Sequence, residues 1–319
     1  MGHVAYTSPG YNVLSRLRRA FAGTAVRGGN MSLVPELSRR AALRLGAGAF
    51  AGAAGVSALN AWLDPQTLNA SPPQAPTPFD PAPAGSALPT RISGSFISAA
   101  RGGKLTNWII ALPPGQTGPL RPVIALHAVR GNANQAMDLG VEDGLAQLVK
   151  AGRPPFAVVA VDGGDSYWHR RANGEDSGAM VLNELIPMLA TKGLDTSRVG
   201  FIGWSMGGYG ALLLGSRLGP QRTAGICAVS PALYQSFTGG ATGAFDNYGD
   251  WARNTVFGLP ALSSIPLRVD CGTSDRFCPA TRQFVAQLPM RPSGSFSPGG
   301  HDVSYWRQQL PGELAWLAS

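Results

Sequence analysis

Gly203-Trp204-Ser205-Met206-Gly207-Gly208 sets a serine with a glycine two residues to either side, after the apolar run 199–202 and before the helical pattern 209–214. A serine on such a strand-to-helix turn sits in a strained backbone conformation that presents its hydroxyl at a sheet edge, and only small residues two positions away let the helix pack so closely. The N-terminus of the following helix favours negative charge developing beside it. This is the chemistry of acyl transfer through a serine nucleophile. A bare G-x-S-x-G recurs by chance; the flanking strand and helix are what make it specific.

A serine hydroxyl is a weak nucleophile at neutral pH and needs a base, which in turn needs an orienting acid. On sheets that carry this turn the acid and then the histidine follow the serine along the chain. His3, His127 and His169 precede Ser205, so the base is expected at His301, in Pro298-Gly299-Gly300-His301-Asp302. The acid should lie at a strand end between the two. Asp275, just beyond the run 266–271, fits better than Asp270 inside that run or Asp246 and Asp250 in the irregular stretch 232–259.

Acyl transfer also requires donors for the oxyanion. One is expected from the Met206 amide and a second from the loop after the run 122–126, His127 to Asn132, with Val129 as the choice and His127 as an organiser of that loop. The segment 162–171 follows another strand; Asp165, Tyr167 and Trp168 are expected to line the mouth and shape substrate binding, the alternative being an ordered surface loop. No Cys/His cluster has metal spacing and no Gly-rich phosphate loop follows the first strand, so neither metal nor cofactor is expected.

These residues need a scaffold that brings strand ends together. Apolar runs at 106–112, 122–126, 156–161, 198–203, 225–229 and 266–271 read as buried strands. Helical patterns near 133–150, 178–192, 207–218, 278–288 and 302–318 alternate with them, the signature of a mostly parallel sheet covered on both faces. Residues 93–98 add an antiparallel edge strand, and 232–259 reads as a short cap over the strands' C-terminal edge, where ligands bind in such sheets.

That body runs over 90–319. Before it, 65–89 holds eight prolines and few large apolar residues, a semi-extended tether. The leader, 1–64, carries five of the eight net positive charges, which argues for targeting and against a nucleic-acid-binding face on the folded part. Arg39 and Arg40 precede a weakly apolar Gly/Ala-rich run at 45–59, shorter than the ~20 residues of a membrane span, with small residues at Val56-Ser57-Ala58 for cleavage. The segment resembles a twin-arginine export signal, which implies a cell-envelope or extracellular protein, anchored if the leader stays uncleaved. An odd number of cysteines in an exported chain suggests one pair and one buried thiol. Cys227 lies inside an apolar strand; Cys271 and Cys278 are expected either to be bridged, holding the Asp275 loop, or to pack as two thiols.

Over about 93–318 the sequence resembles the putative-esterase (esterase D) family of α/β-hydrolases, which includes S-formylglutathione hydrolases, feruloyl esterases and secreted mycobacterial mycolyltransferases. The resemblance rests on Gly203 to Gly210, on Asn183-Glu184-Leu185-Ile186-Pro187, on Gly272 to Asp275, and on Gly299-Gly300-His301 followed by Tyr305-Trp306. It implies an α/β-hydrolase fold, a triad at Ser205, Asp275 and His301, and ester hydrolysis or transfer of the acyl group to an alcohol or sugar acceptor. The family often has His-Gly where this chain has His127-Ala128, which bears on where the second oxyanion donor lies. A small-molecule or lipid ester is the expected substrate. A hydrolase fold that only binds envelope ligands is the remaining alternative, opposed by the complete set of three residues.

Overall fold

The computed structural model describes residues 90–116, 118–238 and 243–319; the leader and most of the linker, with Arg39 and Arg40, lie outside them. Eight strands form one sheet in the order β1-β2-β4-β3-β5-β6-β7-β8. They are β1 (Arg91–Ser98), β2 (Lys104–Ala111), β3 (Pro122–Leu126), β4 (Ala157–Val161), β5 (Val199–Trp204), β6 (Thr223–Val229), β7 (Leu267–Gly272) and β8 (Phe296–Ser297). From β4 to β8 every pairing is parallel, while β2 runs antiparallel to both β1 and β4.

The central strands β3, β4 and β5 are buried along their whole length, which is why they read as unbroken apolar runs. Their side chains divide between two cores. Val158 and Ala160 of β4 face the layer of α1 (Ala133–Met137), α2 (Val141–Lys150) and α8 (Val303–Leu317), with Leu145, Leu310 and Leu314. Val159 and Val161 face the opposite layer, where α5 (Met206–Leu218) and α7 (Cys278–Gln287) contribute Leu212, Leu214 and Phe284. α3 (Ser177–Ala179), a π-helical turn at Met180–Leu185 and α4 (Ile186–Thr191) complete that layer, and α6 (Tyr248–Asn254) lies in the stretch expected to cap the strand ends.

Three features depart from the sequence reading. The pattern at 133–150 is two helices, because Gly140 takes a left-handed conformation (φ 109°) that ends one and starts the next. β8 carries no sequence signal, since a two-residue strand with partly exposed side chains is held by backbone pairing to Cys271 and Gly272. The Cys271–Cys278 bridge is absent: Cys227, Cys271 and Cys278 are all buried free thiols. Burial, followed by the charge of Asp275, pushes the Cys271 thiol up and suppresses the thiolate through which a disulfide forms.

α8 carries Glu313 into the core, both carboxyl oxygens buried without a hydrogen-bond partner, next to Cys227 of β6 and Asp270 of β7. Burial and then the Asp270 charge push its carboxyl well above the ordinary 4.5, against the pull of Arg268. With a folded-state pKa above the unfolded one, ionisation adds no penalty below the unfolded value, and a penalty grows as pH rises from there towards the folded one. Glu313→Gln is therefore predicted to gain melting temperature relative to the natural chain progressively as pH is raised above the ordinary 4.5. Thermal unfolding at a series of pH values checks this, and a difference that stays constant with pH would contradict it.

Candidate active site

The chain reverses its direction of travel across the sheet at β3: the connection from β3 leads to β4 on one side, and the next returns past β3 to β5 on the other. Such a switch leaves a crevice beyond the C-terminal ends of the two strands. Ser205 follows β5 there, with φ 56° and ψ −116°, outside the comfortable range of a non-glycine residue. Its backbone is fixed on both sides: the N–H donates to Val229 O (3.0 Å), and its carbonyl accepts from Tyr209 N–H (3.1 Å) and Ala232 N–H (2.9 Å). A Cβ at Gly207 would run into the Leu126 carbonyl, so only glycine lets α5 approach the end of β3 this closely.

His301 and Asp275 reach the serine from the other side of β6. The imidazole Nδ1–H donates to Asp275 Oδ2 (2.8 Å), and Nε2, left as the acceptor, lies 2.8 Å from Ser205 Oγ. Asp275 Oδ1 accepts from Phe277 N–H (2.8 Å). Burial by itself would raise the Asp275 carboxyl, but His301 and the Phe277 amide outweigh it and hold it below the usual carboxylate range, so the acid is ionised. The loop bearing His301 is stitched to the loop bearing Asp275 by Ser274 N–H to Gly299 O (3.0 Å) and Thr273 N–H to Ser297 O (2.8 Å). A side chain at Gly272 would strike the Gly299 carbonyl, which accounts for glycine there. The His301 ring is wedged edge-on between Phe277 (5.2 Å between centroids) and Trp306 (5.4 Å). Asp302 caps α8, its carboxylate accepting from Tyr305 N–H, which fixes the residue next to the histidine.

The loop after β3 faces the sharp strand-to-helix turn that carries Ser205, the nucleophile elbow. His127 organises it: Nε2 accepts from Gly163 N–H (2.9 Å), so Nδ1 carries the proton and donates to Ala128 O (2.7 Å). Burial keeps this imidazole below its ordinary pKa, despite the carbonyl and nearby Asp162 and Asp165. Arg130 N–H donates to Asp165 (2.6 Å) and Gly131 N–H to Ala128 O (2.9 Å). The Val129 and Met206 amides donate to no acceptor among the described residues. Asp165 is thus exposed and acts as a brace for this loop.

Trp168 does not line the mouth. It is fully buried, its ring filling the space that side chains at Gly163 and Gly210 would occupy and meeting His127 edge-on at 5.0 Å. Left-handed backbone at Tyr167 (φ 58°) and Trp168 (φ 56°) turns the indole inward. Tyr167 keeps its place near the site, in an aromatic wall with Tyr209, Tyr234 and Phe245. Tyr234 extends that wall to Phe277 (5.6 Å), and so to His301. The sequence offers nothing to single out Tyr234 or Phe245, which meet the site through a segment distant in the chain from its three residues, and Phe277, though two residues from Asp275, carries no pattern that says its ring turns towards His301. His169 is buried with Nε2 on the Ala244 carbonyl (3.1 Å) and stacks on Phe245, tying the stretch before α6 to the body.

Cys227, Asp270 and Glu313 are a trio among the described residues with ligand atoms all within 4.8 Å. The Asp270 oxygens already accept from Arg268 and Ser295, which leaves the trio ill-suited to a cation. The geometry at Ser205 can activate a hydroxyl for attack on a carbonyl and hold the resulting imidazolium against a buried carboxylate.

Residues 99–317 match the model of the family described as putative esterase. A search of curated protein sequences finds no match. Among solved structures, the substrate-bound fluorophosphonate-binding serine hydrolase F of Staphylococcus aureus superposes with a TM-score of 0.61 at 18% identity, covering 74% of this chain and 100% of that one. An S-formylglutathione hydrolase of Agrobacterium tumefaciens gives 0.61 at 18%, covering 73% and 97%. MPT51 of Mycobacterium tuberculosis gives 0.55 at 18%, covering 70% and 97%. Likeness at that identity speaks to the fold, and it agrees with the strand order and elbow described above. The family match spans nearly the whole sheet, elbow and histidine loop, and on that ground the chain belongs to the putative-esterase family of α/β-hydrolases.

Proposed function

We propose that the protein is a serine carboxylesterase that works through an acyl-enzyme on Ser205. The observation that carries this reading is the unbroken hydrogen-bond chain Ser205 Oγ, His301 Nε2, His301 Nδ1, Asp275 Oδ2 at the mouth of the switch-point crevice. Ser205 Oγ attacks the ester carbonyl as His301 Nε2 takes its proton. Asp275 fixes the tautomer and stabilises the imidazolium. The developing oxyanion is met by the Met206 amide at the α5 N-terminus and by the Val129 amide, each worth about 3 kcal/mol of transition-state stabilisation in comparable sites. His301 then returns the proton to the departing alcohol, and water repeats the sequence on the acyl-enzyme. The same intermediate would serve an alcohol or sugar acceptor; hydrolysis is the reading held, because the matching family is described as a putative esterase.

The three residues should act as a unit. Ser205→Ala and His301→Ala are each expected to lower kcat for p-nitrophenyl ester cleavage by ~10³-fold or more, Asp275→Asn by that much or less, and the double Ser205→Ala/His301→Ala no further than either single change. Steady-state kinetics of the four variants tests this, and multiplicative losses in the double variant would contradict it.

We further propose that the paired arginines of the leader direct export in the folded state, on the strength of the weakly apolar run that follows them. Fractionation of cells expressing Arg39→Lys/Arg40→Lys should then find folded enzyme retained in the cytoplasm. Undiminished export of that variant would refute the assignment.

A further inference from the structure

We propose that the mouth of the site contains an anion-binding subsite, built from the Arg276 guanidinium with the Tyr167 and Tyr234 hydroxyls, that takes a carboxylate carried by the ester substrate. The proposal rests on the esterase reading and specifies its substrate class.

Arg276 directly follows Asp275 and is exposed. Its guanidinium carbon lies 4.8 Å over the Phe277 ring, the same ring whose edge meets His301 at 5.2 Å, so the cation stands at the rim of the reacting centre. Beyond that stacking, no hydrogen bond or ion pair engages it among the described residues. The nearest acid in the chain, Asp275, is committed to His301 and Phe277. A guanidinium stacked on an aromatic face keeps its N–H fork free for bidentate recognition of a carboxylate.

The phenols supply further donors. Tyr167 and Tyr234 face each other with hydroxyl oxygens 3.3 Å apart, a long contact in which at least one O–H remains available. Arg276 is close enough for its charge to act on the Tyr167 phenol, and Asp165 is the opposing charge there, engaged by the Arg130 amide. Burial, first, and Tyr234, second, raise the Tyr167 hydroxyl well above its ordinary value, so it stays a donor at any physiological pH. One guanidinium with phenolic donors and a single opposing carboxylate suits a monoanion better than a phosphate dianion.

The test compares two pairs of esters. On the acyl side, p-nitrophenyl hydrogen glutarate is set against p-nitrophenyl valerate; on the alcohol side, 4-(butyryloxy)benzoate is set against its methyl ester. In one pair the natural enzyme is expected to prefer the anionic ester by about tenfold in kcat/KM, carried by KM and weakened by high salt. Arg276→Gln should collapse that ratio by about tenfold, Arg276→Lys should restore part of it, and Arg282→Gln, which removes an equal charge from α7, should leave it at the natural value. The subsite is overturned if Arg276→Gln leaves both ratios intact, or if Arg282→Gln lowers them equally. Failure of the natural enzyme to cleave any of the four esters would instead overturn the esterase reading on which the subsite rests.

Discussion

One imidazole bonded at both nitrogens sets the demands on the rest of the fold. His301 must meet Ser205 and Asp275 at 2.8 Å each, although the three residues come from loops after β5, β7 and β8. A parallel sheet answers this by ending those strands at one edge, with β6 as the spacer between the serine and the acid. The remaining freedom is removed locally. Phe277 and Trp306 clamp the ring, and Asp302 caps the helix that starts beside it. Gly272 lets the histidine loop lie directly on the acid loop, an approach any side chain would block.

Backbone strain is concentrated where this geometry is assembled. Among the described residues, the non-glycine ones with left-handed backbone are Arg130, Tyr167, Trp168, Ser205 and Ser230, and all of them lie in the loops that follow β3, β4, β5 and β6. Each such residue costs of order 1–3 kcal/mol and persists only where the surroundings over-determine it. Here the surroundings are hydrogen bonds fixed from outside each loop: Val229 O on Ser205, Asp165 on Arg130, Asp270 O on the Ser230 amide. The sheet interior is regular by comparison, so the stability of the buried strands supports an edge held in conformations that a free loop would leave.

The division between what the sequence reveals and what it hides follows from the same physics. β3, β4 and β5 are legible because burial on both faces leaves continuous apolar runs, and Ser205 is legible because the elbow tolerates only small residues two positions away. Chain order alone leads to His301 and, with the strand boundary, to Asp275. Trp168 is different: nothing in Asp162 to Arg171 tells which aromatic turns inward, since the turn depends on left-handed backbone at residues that rarely adopt it. Cys271 and Cys278 have a spacing that would permit a bridge, but burial, which disfavours the thiolate, is a property of the folded site and not of the spacing. β8 and the aromatic wall are invisible for a third reason, because they exist only as contacts between distant segments.

The central claim is that the folded site makes Ser205 the single activated nucleophile of the chain. Intact-protein mass spectrometry after brief treatment with a fluorophosphonate, followed by peptide mapping, addresses it most directly. The account predicts one adduct per chain, on the peptide containing Ser205, formed by the folded protein and not by the heat-unfolded one. Labelling that lands on another residue, or that proceeds equally in the unfolded chain, would contradict it.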